Sequence, residues 1–394
     1  MLIVAEILFF TVFAILVIPV LTFCIQILVA VLPGFRNQKV QPQSASIALL
    51  IPAHNESTGI SATLESIKKS ATPNTRIVVI ADNCSDNTAE IARSNGVEVI
   101  ERVHETLRGK GYALDFGIQH LKTNPPEVMI VFDADCIVYP DTINALAQAV
   151  IKGKRAVQAL YLIQAKPNSP VKTKLAEFAY VVKSWTRPLG FYRLGMPMQL
   201  MGSGMAFPWE HVKNANLAKG YIVEDMKLGI DLAEQRLAPK FCPEAYVTSE
   251  FPLNDEGADS QRKRWEHGHI GMIVQEGLPL FFKGLRTANI EMTAMALDLC
   301  VPPVALLFLL SALFAIISAV LILLTNTTFP WGYGVIQFLL LALFVMISWV
   351  KHGTKILPFF ELLTYAPVYA ISKIQLYAKF FVNRQIEWVK SKRD

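Results

Sequence analysis

Apolar residues are concentrated in two blocks at the ends of the chain, residues 2–32 and about 292–382, and this distribution limits the fold more than any single motif does. A helix needs about 20 apolar residues to cross a bilayer, and the first block exceeds that length with Glu6 and Gln26 as its main polar interruptions. The block shows neither the basic start nor the cleavage site of a signal peptide. We therefore expect an N-terminal transmembrane helix within residues 1–35.

The second block divides into three segments. Leu299–Leu324 and Tyr333–Val350 are each long enough to span a membrane, and a short polar turn separates them. Ile356–Val382 carries charged residues among its apolar ones, so it is either a third span or an interfacial amphipathic helix. We predict two spans and one interfacial segment within residues 291–382, because a basic cytosolic tail at 383–394 requires an even number of crossings.

The middle of the chain, residues 44–290, has the composition of a soluble domain. Arg36 and Lys39 follow the first span directly, and the bias of basic residues toward the cytosolic side places this domain in the cytosol. The predicted location is the plasma (inner) membrane, with several crossings. The formal net charge of +5 fits a surface beside anionic lipids. We expect membrane lipids as partners and no nucleic acid, since the sequence shows no module that binds it.

Within this domain, short β-branched runs alternate with amphipathic stretches, a pattern typical of a parallel α/β sheet. The predicted elements are strands at Ile47–Ile51, Arg76–Ala81, Val97–Ile100 and Val128–Phe132, and helices over 58–71, 86–95, 110–122 and 141–152. Beyond about residue 155 the pattern is mixed, with a strand at Ala156–Ile163 and a helix at about 171–186. The predicted fold is an α/β domain inserted between transmembrane helices.

Polar clusters follow three of these strands: Pro52-Ala53-His54-Asn55-Glu56, Asp82-Asn83 and Asp133-Ala134-Asp135. Ligands of open α/β sheets bind beyond the carboxyl ends of the strands. The three clusters can therefore converge on one site, with the first two placed to bind a nucleoside. Asn and Asp also form turns at strand ends by bonding their own backbone, and this alternative stays open for each cluster.

Asp133 and Asp135 flank one small residue just past an apolar strand. Two carboxylates in this arrangement can hold Mg²⁺ or Mn²⁺ and aim the cation at a diphosphate. A strand-end turn is the alternative. Lys110 lies between Gly109 and Gly111 at a predicted helix start, where its charge and the helix N-terminus can meet a phosphate. A solvated lysine is the alternative there.

Two further motifs lie later in the chain. Glu224-Asp225 follows an apolar pair, where a carboxylate at the mouth of a pocket can accept a proton from a sugar hydroxyl; the alternative is a solvated helix start. Gln261, Arg264 and Trp265 share one face of a helix by their spacing. Arg binds diphosphate in a forked geometry and Trp offers a flat surface to a sugar ring. A helix at the membrane surface, anchored by Trp265, is the alternative.

The order of these motifs, from Asp82 through Asp133-Ala134-Asp135 and Glu224-Asp225 to Gln261-Arg262-Lys263-Arg264-Trp265, resembles glycosyltransferase family 2. The likeness is to the branch that contains the cellulose, chitin-oligosaccharide and hyaluronan synthases. It covers about residues 46–270. The resemblance implies a GT-A fold, which is Rossmann-like, and inversion at the anomeric carbon of the transferred sugar.

The resemblance also implies a role for each matching residue. On the donor side these are Pro52, Ala53, Asn55, Glu56 and Asp82 for the nucleoside, and Asp133 and Asp135 for the pyrophosphate and the metal; Lys110 joins the donor-binding residues by its position at the helix start. On the acceptor side they are Asp225 as the catalytic base, Gly202-Ser203-Gly204 as a loop beside the acceptor sugar, and Glu224, Gln261, Arg264 and Trp265 around the acceptor and the diphosphate.

The chain departs from the synthases in its short C-terminal membrane block and in the run Glu266-His267-Gly268-His269 after the tryptophan. We therefore expect a nucleotide-sugar donor, with a UDP-sugar favoured, and leave two acceptors open. One is a growing saccharide, which would fit partner proteins for polysaccharide export. The other is a lipid-linked acceptor that receives a single sugar. An inactive scaffold subunit of a secretion complex is the alternative outside the enzymes.

Overall fold

The structure, a computed structural model, describes residues 2–34, 39–218, 220, 223–252 and 255–382. The chain forms two compact units. Among the described residues, the helical unit comprises those within 2–34, 165–195 and 266–382, and the sheet unit comprises those within 39–164 and 196–265. Arg36 and the predicted basic tail at 383–394 lie outside the described residues.

Sixteen α-helices are present in the described part of the chain: α1 Leu2–Val31, α2 Ile60–Ser70, α3 Thr88–Ser94, α4 Lys110–Leu121, α5 Thr142–Gly153, α6 Val171–Val181, α7 Arg187–Arg193, α8 Trp209–Val212, α9 Glu224–Glu234, α10 Asp255–Met272, α11 Leu278–Arg286, α12 Ile290–Leu299, α13 Val304–Thr325, α14 Gly332–Ser348, α15 Phe359–Ser372 and α16 Ile374–Val382. Short π-helical segments follow α6, α10 and α14 at Val182–Thr186, Ile273–Gly277 and Trp349–Gly353.

In its described part, the sheet unit is built on eight strands: β1 Ile47–Ala53, β2 Thr75–Asp82, β3 Glu98–Arg102, β4 Val128–Val131, β5 Ile137–Val138, β6 Val157–Gln164, β7 Met205–Pro208 and β8 Lys240–Glu250. Their order in the sheet is β3-β2-β1-β4-β7-β6-β8-β5. The first four strands and the four helices that alternate with them confirm the α/β prediction to within a few residues. Both faces of β1 and β4 are buried, as their continuous apolar sequences require.

The prediction of a parallel sheet is correct for β3, β2, β1 and β4, and β6 and β8 also pair in parallel, but it is wrong for β7 and β5. Strand β7 runs antiparallel to β4 and β6, and β5 runs antiparallel to β8. A parallel neighbour needs a crossover that returns the chain to the same end of the sheet. Strand β7 instead starts beside the end of β4, where Gly204 N donates to Val131 O at 2.9 Å, so it must run back in the opposite direction.

Among the residues that the structure describes, the helical unit contains three helices long and apolar enough to cross a membrane, at Val4–Val31, Val304–Thr325 and Gly332–Gly353. They correspond to the three predicted spans. The predicted span from Leu299 starts too early, because Pro302 and Pro303 end the preceding helix α12 and α13 begins only after them. The segment 356–382 forms two shorter helices, α15 and α16.

The segments 165–195 and 266–290 fall within the domain predicted at 44–290, which includes interfacial helices. In the structure they belong to the helical unit. Leu175 and Phe178 of α6 share one buried apolar cluster with Phe23 and Ile27 of α1. The apolar face of α6 accounts for this grouping, since it is buried against other helices of the same unit.

A buried polar network explains the polar interruption of α1 by Gln26. Arg187 Nε donates to Gln26 Oε1 at 2.7 Å, and Gln26 Nε2 donates to Asp298 Oδ1 at 2.7 Å. Arg187 Nη2 closes the ring with a 2.7 Å ion pair to Asp298 Oδ1. Arg187 is only 4% exposed, so its charge needs this partner. The network joins α1, α7 and α12.

A second buried ion pair joins Lys373 to Glu266 in the helical unit. The sequence placed Lys373 in an interfacial segment, yet the residue is 5% exposed. The neighbouring His267 Nε2 forms a 2.9 Å hydrogen bond with Leu376 O. These contacts attach α10 to the α15–α16 region, so Lys373 serves the packing of the helices.

Gly190 provides a test of the helical packing. A β-carbon there would lie 1.9 Å from Gln26 O, whereas one at Gly332 would meet nothing within 4 Å. We expect Gly190→Ala to destabilise the protein by about 1–3 kcal/mol, because α7 must move away from α1. Gly332→Ala is the matched control and should change the thermal midpoint little. Equal midpoints of the two variants in detergent would show that α7 does not pack closely on α1.

Candidate active site

Strands β2, β1 and β4 are neighbours and run parallel, so the polar clusters that follow them lie at one edge of the sheet. His54 Nδ1 forms a 2.7 Å hydrogen bond with Asp82 O, which joins the first two clusters directly. Thr63 Oγ1 of α2 donates to Ala134 O at 2.8 Å and holds the third. The predicted convergence of the three clusters is therefore present in the structure.

The first two clusters are held by their own side chains. Asn55 and Asn83 have positive φ angles of 54° and 52°. Asn55 Oδ1 accepts from Ser85 N at 2.7 Å, and Asn83 Oδ1 accepts from His104 N at 2.8 Å. Glu56 contributes its backbone N–H, which donates to Thr88 Oγ1 at 2.8 Å. These two amide bonds reach backbone groups 30 and 21 residues away, so they join separate loops around the site and are not the local turns of the alternative.

Asp82 has a partner that the sequence reasoning missed. Its Oδ1 forms a 2.6 Å ion pair with Arg102 Nη1, and Asp82 is 5% exposed. The register pairs the two residues across β2 and β3, so Arg102 could have been found by aligning the strand ends. Arg102 also donates to Leu107 O at 2.8 Å and lies 5.6 Å from the ring centroid of Tyr112. The Asp82 carboxylate is therefore fixed in orientation.

Asp133 and Asp135 lie in a group with Cys136 whose ligand atoms are all within 4.8 Å of one another. The two aspartates are half-buried and Cys136 is buried. Asp133 N donates to Ser203 Oγ at 3.0 Å, so the backbone of this cluster is bonded to the Gly202-Ser203-Gly204 loop. Two carboxylates at this spacing form a donor set that suits a hard divalent cation.

Lys110 is a central residue of the site and not a solvated lysine. Its Nζ donates to Gly202 O at 2.7 Å and forms an ion pair with Asp133. Desolvation lowers the pKa of Lys110, but the charges of Asp133, Glu224 and Asp225 outweigh it and raise the pKa above its usual value. Lys110 therefore stays protonated among the carboxylates.

Gly202 lies where the charged groups meet. Its φ is +86°, and a β-carbon there would be 3.3 Å from Lys110 Nζ, 3.4 Å from Asp225 Oδ2 and 3.9 Å from Asp133 Oδ2. The structure thus brings Asp133, Asp225 and Lys110 to one point from three separate parts of the chain. Asp225 and Glu224 begin α9, and Met226 N donates to Asp225 Oδ1 at 2.8 Å.

Gln261, Arg264 and Trp265 lie on α10, and the helical spacing assumed for them is confirmed. Gln261 is 6% exposed, and its Oε1 is buried without a hydrogen-bond partner among the residues that the structure describes. Arg264 and Trp265 are half-buried. A buried acceptor atom of this kind is suited to a donor group of a ligand.

The sequence match is consistent with this geometry. A family model described as "Glycosyltransferase like family 2" matches residues 42–268, more than half of the chain. The chain belongs to glycosyltransferase family 2. The glycosyltransferase is therefore an enzyme with a GT-A-like fold, as the motif order predicted.

Two curated relatives of this glycosyltransferase come from bacteria. A poly-β-1,6-N-acetyl-D-glucosamine synthase of Staphylococcus epidermidis is 25% identical over 60% of the chain and 58% of the relative. A probable glycosyltransferase of Bacillus subtilis, YdaM, is 25% identical over 64% of the chain and 61% of the relative. The matches thus span less than two thirds of these relatives.

A mannosyltransferase from Pyrobaculum calidifontis, solved with GDP-Man and Mn²⁺, has a similar fold. The TM-score is 0.51 at 16% identity, over 87% of this glycosyltransferase and 99% of the other chain. At that identity the likeness concerns the fold alone. It extends beyond the residues that the family model matches.

Glu224 generates a prediction on pH. Desolvation and the charge of Asp225 raise the pKa of this half-buried carboxyl from 4.5 to about 7. The folded state then binds the proton more tightly than the unfolded chain, so Glu224 stabilises the protein below pH 4.5 and this contribution is lost as the pH rises to about 7.

We expect Glu224→Gln to reduce the fall in thermal midpoint between pH 4.5 and 7. The measurement is made in EDTA, so that a bound cation does not compete for the proton. Glu234→Gln, at the exposed far end of α9, is the matched control. A Glu224→Gln profile parallel to that of the wild type would contradict the raised pKa.

Proposed function

We propose that the protein is an inverting membrane glycosyltransferase that transfers a sugar from a nucleotide-diphosphate sugar to a saccharide or a lipid-linked acceptor. The observation that carries the proposal is the convergence of Lys110, Asp133 and Asp225 around Gly202. Direct displacement at an anomeric carbon requires three groups. They are a cation that stabilises the departing diphosphate, a carboxylate that holds a metal and a carboxylate that accepts a proton.

The donor would bind at the edge formed by β1, β2 and β4. The fixed carboxylate of Asp82 offers a hydrogen-bond acceptor to the nucleoside, beside the backbone of Pro52, Ala53, Asn55 and Glu56. Lys110, at the N-terminus of α4, faces the diphosphate with its ammonium group and the helix N–H groups. We favour a UDP-sugar as donor.

The donor set of the Asp133–Cys136 group fits Mg²⁺ or Mn²⁺, with Asp133 and Asp135 as the residues that would hold it. When bound, the cation offsets negative charge on the departing diphosphate. The mannosyltransferase of similar fold was solved with Mn²⁺. The backbone bond from Asp133 N to Ser203 Oγ keeps the carboxylates in place for this task.

Asp225 is the proposed base. Its Oδ1 accepts from the backbone at Met226, and its Oδ2 faces Gly202. An acceptor hydroxyl placed there gives its proton to Oδ2 while its oxygen attacks the anomeric carbon, and the bond to the diphosphate breaks on the opposite face. Asp225 is preferred to Glu224 because its Oδ2 lies beside Gly202, 3.4 Å from a β-carbon placed there.

The acceptor side would be bordered by Gly202-Ser203-Gly204 and by Gln261, Arg264 and Trp265 on α10. Three apolar helices support a membrane location, and the basic residues near the first span support a cytosolic catalytic domain at the plasma (inner) membrane. The similarity to the poly-N-acetylglucosamine synthase favours a saccharide acceptor over a single-addition glycolipid, and makes UDP-N-acetylglucosamine the first donor to test. Partner proteins for export belong to this proposal.

The test is a donor screen in membranes with Mg²⁺ or Mn²⁺. UDP-N-acetylglucosamine, UDP-glucose and GDP-mannose are each supplied, and the products are analysed by mass. A ladder of products indicates a polymer and one added sugar indicates a glycolipid. Failure to hydrolyse or transfer from any of the three would contradict the proposed function and favour a scaffold role.

Replacement of the proposed base gives a sharper prediction. We expect Asp225→Asn to lower transfer about 10³-fold, within the range that removal of a general base produces. Binding of UDP with Mn²⁺, measured by calorimetry, should change little because the side chain keeps its shape. Asp231→Asn on the same helix is the control, since Asp231 pairs with Lys227 at 3.1 Å. Wild-type turnover by Asp225→Asn would remove Asp225 from this role.

Lys110 gives a prediction on donor binding. We expect Lys110→Met to weaken UDP binding about tenfold to 100-fold, the effect of losing one charge-assisted hydrogen bond of 1.5–3 kcal/mol. Lys122→Met, at the exposed C-terminal end of the same helix, should bind UDP as the wild type does. Equal affinities of the two variants would exclude contact between Lys110 and the diphosphate.

A further inference from the structure

Gln158 is a fully buried polar residue in the otherwise apolar start of β6, and no motif of the family match draws attention to it. A side-chain amide that is removed from water without partners costs several kcal/mol. A glutamine in this position therefore has to be explained by what it binds. Two of its hydrogen bonds go to backbone groups of the loop Met201–Gly204, and a third goes to Ala159 O on its own strand.

The two ends of the Gln158 amide bind on either side of Gly202. Oε1 accepts from Met201 N at 2.8 Å, and Nε2 donates to Ser203 O at 2.7 Å. Nε2 also donates to Ala159 O at 3.1 Å, which ties the amide to its own strand. One rigid planar group thus fixes the peptide units that flank Gly202.

The loop needs such an anchor because of its sequence. Gly202 and Gly204 have φ angles of +86° and +71°, in the left-handed region that glycine adopts readily. A β-carbon at Gly204 would lie 2.7 Å from Ala159 Cβ, so the close approach to β6 also requires glycine. Because glycine also adopts other backbone conformations readily, the two glycines do not fix the loop by themselves. The hydrogen bonds of Gln158 select the observed loop conformation.

The conformation selected by Gln158 sets the geometry of the charged groups. Gly202 O accepts from Lys110, and Ser203 Oγ accepts from Asp133 N. The α-carbon face of Gly202 lies next to Asp225 Oδ2. An acceptor hydroxyl that gives its proton to Asp225 must lie in this space, so Gly202 forms one wall beside the reacting oxygen.

We propose that Gln158 is a positioning residue that fixes the Met201–Gly204 loop against Asp225, and thereby favours transfer to the acceptor over hydrolysis of the donor. Gln158 contacts neither the donor nor the acceptor in this scheme. A loosened loop lets the acceptor hydroxyl shift from its line of attack, while water, which needs no orientation by the loop, still reaches the anomeric carbon. The inference rests on the proposed function.

The experiment compares Gln158→Leu, which is similar in size and removes all of these bonds, with Gln158→Glu, which keeps the acceptor for Met201 N and loses the donor to Ser203 O. Gln164→Leu is the matched control, because Gln164 ends the same strand and donates to Tyr246 OH at 3.3 Å away from the loop. Membranes receive UDP-N-acetylglucosamine labelled in the sugar, or whichever donor the screen shows to be used. Label in product and label released as free sugar are counted separately.

We expect Gln158→Leu to lower the rate of transfer about tenfold to 100-fold, the scale that displacement of a reacting group by about 1 Å produces. Hydrolysis should fall much less, so the ratio of transfer to hydrolysis falls. Gln158→Glu should lie between Gln158→Leu and the wild type. UDP binding with Mn²⁺ should stay within about threefold of the wild type in both, as expected for a residue that leaves the donor contacts in place. If Gln158 had a purely structural role, its replacement would instead lower the rates of transfer and hydrolysis together, in proportion to the loss of folded protein.

Hydrogen exchange of peptides covering residues 196–208 is the second readout and needs no turnover. Faster exchange in Gln158→Leu, with Gln164→Leu unchanged there, supports the proposal. An unchanged ratio of transfer to hydrolysis in either Gln158 variant, or unchanged exchange in this segment, overturns it. If Gln158→Leu fails to fold, Gln158→Glu carries the same comparison. If the wild type uses no donor, the proposed function fails, whereas the exchange experiment still decides whether Gln158 anchors the loop.

Discussion

The arrangement of the site depends on the ammonium group of Lys110 among three carboxylates. Asp133 and the adjacent pair Glu224-Asp225 come from separate parts of the chain, and their charges would repel one another if they were brought together without a cation. Lys110 pairs with Asp133 and also binds Gly202 O, so one side chain joins the sheet edge to the loop that faces the proposed base. The positive charge of Lys110, at the start of α4, thus offsets the repulsion among these carboxylates.

Much of the fold could be predicted because the sheet follows a simple rule. Strands β1, β2 and β4 are continuous apolar runs that end in polar clusters, and their parallel order brings those ends to one edge. The antiparallel course of β7 could not be read from the sequence, since it depends on where the preceding turn delivers the chain. The assignment of α6 and its neighbours to the helical unit could not be predicted for a similar reason. The sequence of an apolar helix face does not show which distant helix it packs against.

The site was predictable to the extent that its residues follow strands or start helices. Asp133, Lys110 and Asp225 carry such signals, and the structure brings them together around Gly202. The sequence signals of Arg102 and Gln158 are weaker. Arg102 becomes visible only once β3 is paired in register with β2, and Gln158 only once β6 is known to be fully buried. In both cases the missing information was a long-range contact.

The two units are interleaved along the chain, and this affects how the protein can be made. The helical unit draws on residues near the start, the middle and the end of the sequence. During synthesis, Gln26 leaves the ribosome long before its partners Arg187 and Asp298 exist. The side-chain amide of Gln26 therefore has neither of these partners until most of the chain has been translated. A contiguous fragment covering 44–290 would likewise contain α6 without Phe23 and Ile27, and its exposed apolar face would promote aggregation. Deletion of α6 and α7 from such a fragment would remove this apolar face. A new linker would then have to join β6 to β7.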